Sequence, residues 1–123
     1  MKMMGIIFAL LVMVNAARAD SKWTANDTAL QLTYTTLHVM DWTQTLHIAR
    51  NPEKYYETNS HLGRHPSEGR VNSYFAGGLV LNTAVAYVLP KPWRTMWQVG
   101  FIVDRYAYVQ HNRRIGIGIS LHF

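Results

Sequence analysis

Residues Val71–Leu89 read VNSYFAGGLVLNTAVAYVL, a stretch without a formal charge. Its length approaches the roughly 20 apolar residues that a helix needs to cross a bilayer. It is therefore read as a membrane helix, with a buried helix of a soluble domain as the alternative. Gly77, Gly78 and Ala84 would allow a second helix to approach it closely. Ser67 stands where a helix N-cap is wanted, because its short side chain can accept from free backbone N–H groups. Pro90-Lys91-Pro92 closes the stretch.

On the N-terminal side, Asn51-Pro52 ends whatever precedes it, since the residue before a proline is pushed out of helical geometry. Asp27–Arg50 contains neither Gly nor Pro. Leu30, Tyr34, Leu37, Asp41, Thr45 and Ile48 recur at helical spacing. Leu30, Leu32, Tyr34, Met40, Trp42, Leu46 and Ile48 also alternate as in a strand. The uninterrupted length exceeds that of ordinary strands, so a helix is expected over 27–50, with Asn26 or Asp27 as its cap. Between the two helices, 51–70 holds Pro52, Gly63, Pro66 and Gly69 and is read as a connection, with an added helical turn at Lys54–Glu57.

On the C-terminal side, Pro92 is placed to begin a third helix over Trp93–Gln110. Trp93 and Trp97 look like an aromatic belt at a membrane surface. Asp104 and Arg105 fall in its middle, where a lipid-facing position would be costly, so Asp104 should face protein or water. Asn112 is a candidate helix end. From Ile115 to Phe123 apolar residues take every odd position, which is strand alternation. Ending on Phe, that tail also resembles the last strand of outer-membrane barrels.

The chain has 123 residues and no cysteine, so no disulfide, cysteine nucleophile or cysteine-ligated metal is available. It opens with Met1-Lys2, an apolar run from Gly5 to Val14, and Ala17-Arg18-Ala19. This is the pattern of a bacterial secretory signal peptide over 1–19. The remainder, 20–123, is one domain. The formal net charge of +5 loses Lys2 and Arg18 with the leader and stays positive. Anionic lipid suits such a charge. Nucleic acid does not, because no basic stripe is interleaved with aromatics.

The expected fold class is all-α: a small helical membrane bundle of about three helices with a short C-terminal β-like tail. With three crossings, Arg50, Lys54, Arg64, Arg70, Arg105, Arg113 and Arg114 fall inside, and Lys22, Lys91 and Arg94 outside, in the sense of the positive-inside rule. The alternative is outer-membrane β structure. Eight spanning strands would use most of the chain, so a barrel would have to be shared between chains.

Asp41, Gln44 and Thr45 share one helix face at i, i+3, i+4. Asp104 and Tyr108 make an i, i+4 pair, with His111 about one turn on. A bundle could bring the two carboxylates together with Arg94 or Arg105. Asp41, Asp104, His65 and His111 are thus the candidates for acid–base chemistry, and Gln44, Thr45, Glu57, Arg94 and Tyr108 for binding. The plainer reading is a polar seam that holds helices in register. His61 and His65 have i, i+4 spacing, but Gly63 and Pro66 make their stretch a loop and no H-E-x-x-H is present. No metal site is assigned. No nucleophile elbow, P-loop or dinucleotide fingerprint exists, and no cofactor is expected.

Asp41-Trp42-Thr43-Gln44-Thr45, Glu57-Thr58-Asn59, Leu62-Gly63-Arg64-His65-Pro66-Ser67, Arg70-Val71-Asn72-Ser73-Tyr74-Phe75 and Trp93-Arg94-Thr95-Met96-Trp97-Gln98 together resemble a type of small exported bacterial or phage-borne membrane protein of unassigned function. The resemblance implies a helical membrane protein and no particular activity. The functional expectation is a non-enzymatic cell-envelope protein acting by contact with membrane lipid and with partner helices, on another membrane protein or itself. The inner membrane is favoured over the outer. The rivals are an intramembrane or interfacial hydrolase using Asp41 and Asp104, and an oligomeric outer-membrane pore.

Overall fold

The computed structural model describes residues 22–118. The expected leader (1–19) and the end of the alternating tail (119–123) lie outside the described residues. Three helices follow one another: α1 (Ala25–Arg50), α2 (Glu68–Val88) and α3 (Trp93–Arg114). The all-α class with three helices is therefore the fold. No strand occurs among the described residues, and three helices occupy the chain that shared β structure would need. Ile115 and Gly116 form a turn that ends α3, with the Ile117 N–H bonded to the Asn112 carbonyl. The part of the expected β-like tail that is described is thus a helix terminus.

Local chemistry sets the ends. The cap of α1 is Thr24, two or three residues before the expected Asn26 or Asp27, because Thr24 and Asp27 form a capping box. The Thr24 hydroxyl accepts from the Asp27 N–H at 3.3 Å, and the Asp27 carboxylate accepts from the Thr24 N–H at 2.9 Å. Each satisfies a donor that the first turn leaves open. Ser67 caps α2, accepting from the Arg70 N–H at 3.1 Å. Asn112 does not end α3 but lies buried inside it.

None of the three helices is long and apolar enough to cross a membrane, which overturns the reading of Val71–Leu89 as a transmembrane helix. Asn72, Ser73, Asn82 and Thr83 dilute its apolar residues. α3 carries Arg94, Asp104 and Arg105, and α1 carries Asp27 and Asp41 along with many threonines.

α1 is the central element: α2 and α3 both pack on it and touch each other least. Leu46, Leu62, Val71 and Phe75 form an apolar core at one end, and Trp42, Ala49 and Tyr74 pack against it. Trp42 stacks on Phe75 and donates its indole N–H to Asn72 at 2.8 Å. The connection between α1 and α2 inserts Leu62 into this core and turns at Gly63, whose φ of 81° favours glycine.

Away from that core the polarity is turned round. The buried face of α3 is Arg94, Gln98, Arg105, Val109 and Asn112, while Met96, Val99, Val103 and Tyr106 are exposed. α2 likewise exposes Val80 (71%), Leu81 and Tyr87. Large exposed apolar side chains and buried polar ones are the informative departures from ordinary burial.

Candidate functional site

The buried polar residues line up where α1 meets α3 and gather at two stations. At the first, Arg94 is fully buried and its guanidinium is divided among many acceptors. Nε donates to the Ala86 carbonyl at 2.7 Å and Nη2 to the Tyr87 carbonyl at 3.0 Å, at the C-terminal end of α2. Nη1 donates to Asp27 at 3.0 Å and to the Lys22 carbonyl at 3.2 Å. A cation at a helix C-terminus also complements the helix dipole. Trp23 covers the guanidinium from 5.0 Å. One side chain thus ties the start of α1, the end of α2 and the start of α3. Burial pushes the Asp27 carboxyl up, but the bonds from Thr24 and Arg94 outweigh that and leave it below its ordinary value.

Beside this pair an amide chain crosses all three helices. Gln98 donates to the Asp27 carbonyl and to the Gln31 side-chain oxygen, at 3.0 and 3.2 Å. Gln31 donates in turn to Asn82 and to Thr83, both at 3.0 Å.

At the second station, Arg105 joins Asp41 and Asp104, with contacts of 2.7 Å to each carboxylate. Asp41 is buried and accepts also from Thr45 at 3.3 Å and from Asn112 at 3.2 Å. Asn112 donates to Gln44 as well, at 3.1 Å. Tyr108 lies under the Arg105 guanidinium at 4.9 Å. Burial pushes the Asp41 carboxyl up to about 7, the neighbouring Glu57 adds to the rise, and Arg105 pulls against it. A carboxylate in mid-helix cannot collect free backbone N–H groups, since those around it are already bonded within the helix.

Glu57 is buried in the connection, where Oε1 accepts from the N–H groups of Thr58 and Asn59 at 3.0 and 2.9 Å. Its Oε2, like the Gln44 Nε2, is buried without a partner. Asn59 donates to the Tyr74 hydroxyl at 3.0 Å, which fastens the connection to α2.

Between the stations, His38 is held by Tyr34 at 3.0 Å and by the Phe75 carbonyl at 2.7 Å. Burial pushes the imidazole below its ordinary value, against the pull of the Phe75 carbonyl. Neutral imidazole then donates from Nε2 to Phe75 and accepts the Tyr34 proton at Nδ1.

The structure thus gathers Asp41, Gln44, Thr45, Arg105, Asp104 and Tyr108 in one cluster. Arg94 belongs to the other station, with Asp27. His65 is exposed in the connection and His111 is exposed on α3 beside Tyr55 and Tyr56, so neither histidine meets the buried carboxylates. Gln31, His38, Asn82, Gln98 and Asn112 were missed as site residues. A polar residue on the apolar stripe of each helix was their only sequence signal.

Chemically, the Asp41 carboxyl is tuned to exchange a proton near neutrality, yet it is 3% exposed and both its oxygens are engaged. That arrangement holds the carboxyl between helices, away from solvent. No protein-family model, curated protein or solved structure matches this chain.

Proposed function

We propose that the protein is an exported, non-enzymatic component of the bacterial cell envelope that works through its apolar outer faces, in contact with membrane lipid and with partner helices. The observation behind this reading is the reversed polarity: ion pairs and amides inside, Val80, Leu81, Tyr87, Met96, Val99, Val103 and Tyr106 outside. Exposed apolar area of this extent usually marks an interaction surface. A groove of about 540 Å³ between α1 and α3, bounded by Thr33, Thr36, Leu37, Ile102, Val103 and Tyr106, extends it. The contact is lateral or interfacial rather than a crossing, and the positive charge of the chain suits anionic headgroups.

Flotation of the protein with phosphatidylglycerol vesicles tests the reading. The protein is taken from the envelope of an expressing bacterium, beside a Val80→Asn/Val103→Asn variant with the same N-terminus. The variant should lose most of its vesicle-bound fraction while keeping its helical circular dichroism. Equal flotation of the two proteins would sink the proposal.

A hydrolase is the second reading, favoured by one observation, the Asp41 carboxyl poised near neutrality. It requires an opening that exposes the Asp41–Arg105–Asp104 group. Asp104→Asn removes the more exposed carboxylate with little structural cost. Loss of cellular function with unchanged abundance in that variant would favour chemistry over a seam.

A further inference from the structure

α2 and α3 diverge on either side of α1 and leave a cleft of about 150 Å³ between them. Tyr34 and His38 of α1 form its floor, with Trp97 and Phe101 of α3 on one side and Gly78 and Leu81 of α2 on the other. The rings are arranged for mutual contact: Trp97 and Phe101 lie 4.6 Å apart between centroids, and Tyr34 meets Phe101 edge-on at 6.0 Å. A Cβ at Gly78 would stand 3.6 Å from the His38 ring, so glycine keeps that wall thin. Apolar space of about 150 Å³ accommodates a benzene-sized molecule.

One polar group among the residues lining this cleft is unanswered, and it is closed to water in the unliganded chain. Asn82 lines it, is 4% exposed, and its Nδ2 has no hydrogen-bond partner. The orientation of that amide is set from behind, because Gln31 donates to its oxygen at 3.0 Å. Gln31 is itself aligned by Gln98. The three amides therefore point the same way, each donating to the next, and the last donor, Asn82 Nδ2, is left over. Aligned amides polarise one another, which strengthens the free donor at the end. An unmet buried donor costs free energy until an acceptor reaches it. The charge at the far end is already spent, since Arg105 is shared by Asp41 and Asp104.

We infer that the cleft between α2 and α3 is a binding site for a small uncharged molecule with one aromatic ring and a hydrogen-bond acceptor, the ring lying against Trp97 and Phe101 and the acceptor taken by Asn82 Nδ2, which the ligand uncovers as it enters. The site shares Leu81 with the outer apolar faces but does not depend on the function proposed for them.

Titration of the ¹⁵N-labelled full chain with acetophenone, followed by NMR, tests this, with ethylbenzene as the probe that lacks the acceptor. Acetophenone should shift the Asn82 side-chain resonance and the Gly78 and Phe101 amides, and should bind about 10-fold more tightly than ethylbenzene, the worth of one hydrogen bond. Asn82→Leu removes the donor and leaves Gln31 its bond to Thr83, and should bring the two affinities together. Gly78→Leu fills the cleft and should abolish binding of both. Leu81→Trp does the same from the exposed lip, and serves if the first filler fails to fold. Absence of saturable shifts in the wild type, equal affinity for the two probes, or binding that survives a folded cleft filler would each overturn the inference.

Discussion

Asp27–Arg94 and Asp41–Arg105 are the same residue types joining the same two helices, and they end in opposite electrostatic states. Asp27 sits in the first turn of α1, where the Thr24 N–H and hydroxyl are free to serve it, and its carboxyl stays below the ordinary value. Asp41 sits in the middle of α1 with side-chain donors only, faces Glu57, and rises to about 7. The guanidiniums differ as well. Arg94 spreads over carbonyls of two segments and one carboxylate, whereas Arg105 serves two carboxylates. The same ion pair is thus a permanent clasp at a helix terminus and a protonatable contact in a helix middle, because only the terminus supplies spare backbone donors.

Truncating the two arginines should separate the stations most widely. Arg94→Met leaves the buried Asp27 with Lys91 at 3.6 Å as its nearest cation and strands the final carbonyls of α2, and should cost about 3–5 kcal/mol by urea unfolding at neutral pH. Arg105→Met should cost less, and less still at about pH 5, because Asp41 can take up a proton in place of its partner. Equal and pH-independent losses would erase the distinction.

The next effect is in pH dependence. A carboxyl raised from 3.8 to about 7 holds its proton longer in the fold than in the unfolded chain. Its contribution is therefore fully present below about pH 4 and is lost as pH rises toward about 7. Asp41→Asn should remove that decline from the stability profile. Asp27 has the reverse sign: its contribution is present above its ordinary value and is lost as pH falls through its depressed one. Asp27→Asn should therefore be destabilising near neutrality, with the difference closing in acid.

His38 lies between the stations and sharpens the comparison from a third direction. Its imidazole is depressed, so the unfolded chain binds the proton first and stability falls as pH drops below about 6.5. His38→Gln keeps a donor for the Phe75 carbonyl and should abolish this loss while costing about 1–2 kcal/mol at higher pH. The smallest expected change is Thr24→Ala, about 1 kcal/mol in the same assay, from loss of the cap and of one support for Asp27.

The helices were legible in the sequence to within a few residues, with the largest difference at the end of α3. Pro52, Ser67 and the Pro90–Pro92 stretch act within one turn of where they stand. The shared face of Asp41, Gln44 and Thr45 was legible for the same reason, since helical spacing alone puts them together. Asp27 was readable as a cap but not as half of a buried ion pair, because Arg94 is 67 positions away. Gln31, Asn82 and Gln98 were not readable at all. An amide on an apolar stripe announces neither its partner nor its direction. The transmembrane reading of Val71–Leu89 fails because a stretch without charge is still not apolar enough to cross a membrane when it contains Asn72, Ser73, Asn82 and Thr83.

The sequence by itself determined that the described chain makes three helices with their breaks near residues 51–67 and 89–92, because caps, prolines and uninterrupted length are local causes. It did not determine which side of each helix faces inward. Apolar residues lie all round α2, and on α3 they alternate with Arg94, Gln98 and Arg105, so periodicity left the orientation undecided. Only the tertiary structure chose, by turning the polar side of α3 onto the polar side of α1, where each buried charge meets an opposite charge or a carbonyl. A buried ion or amide is costly without its partner in place, and partners 64 or more positions apart exist only once the chain has folded.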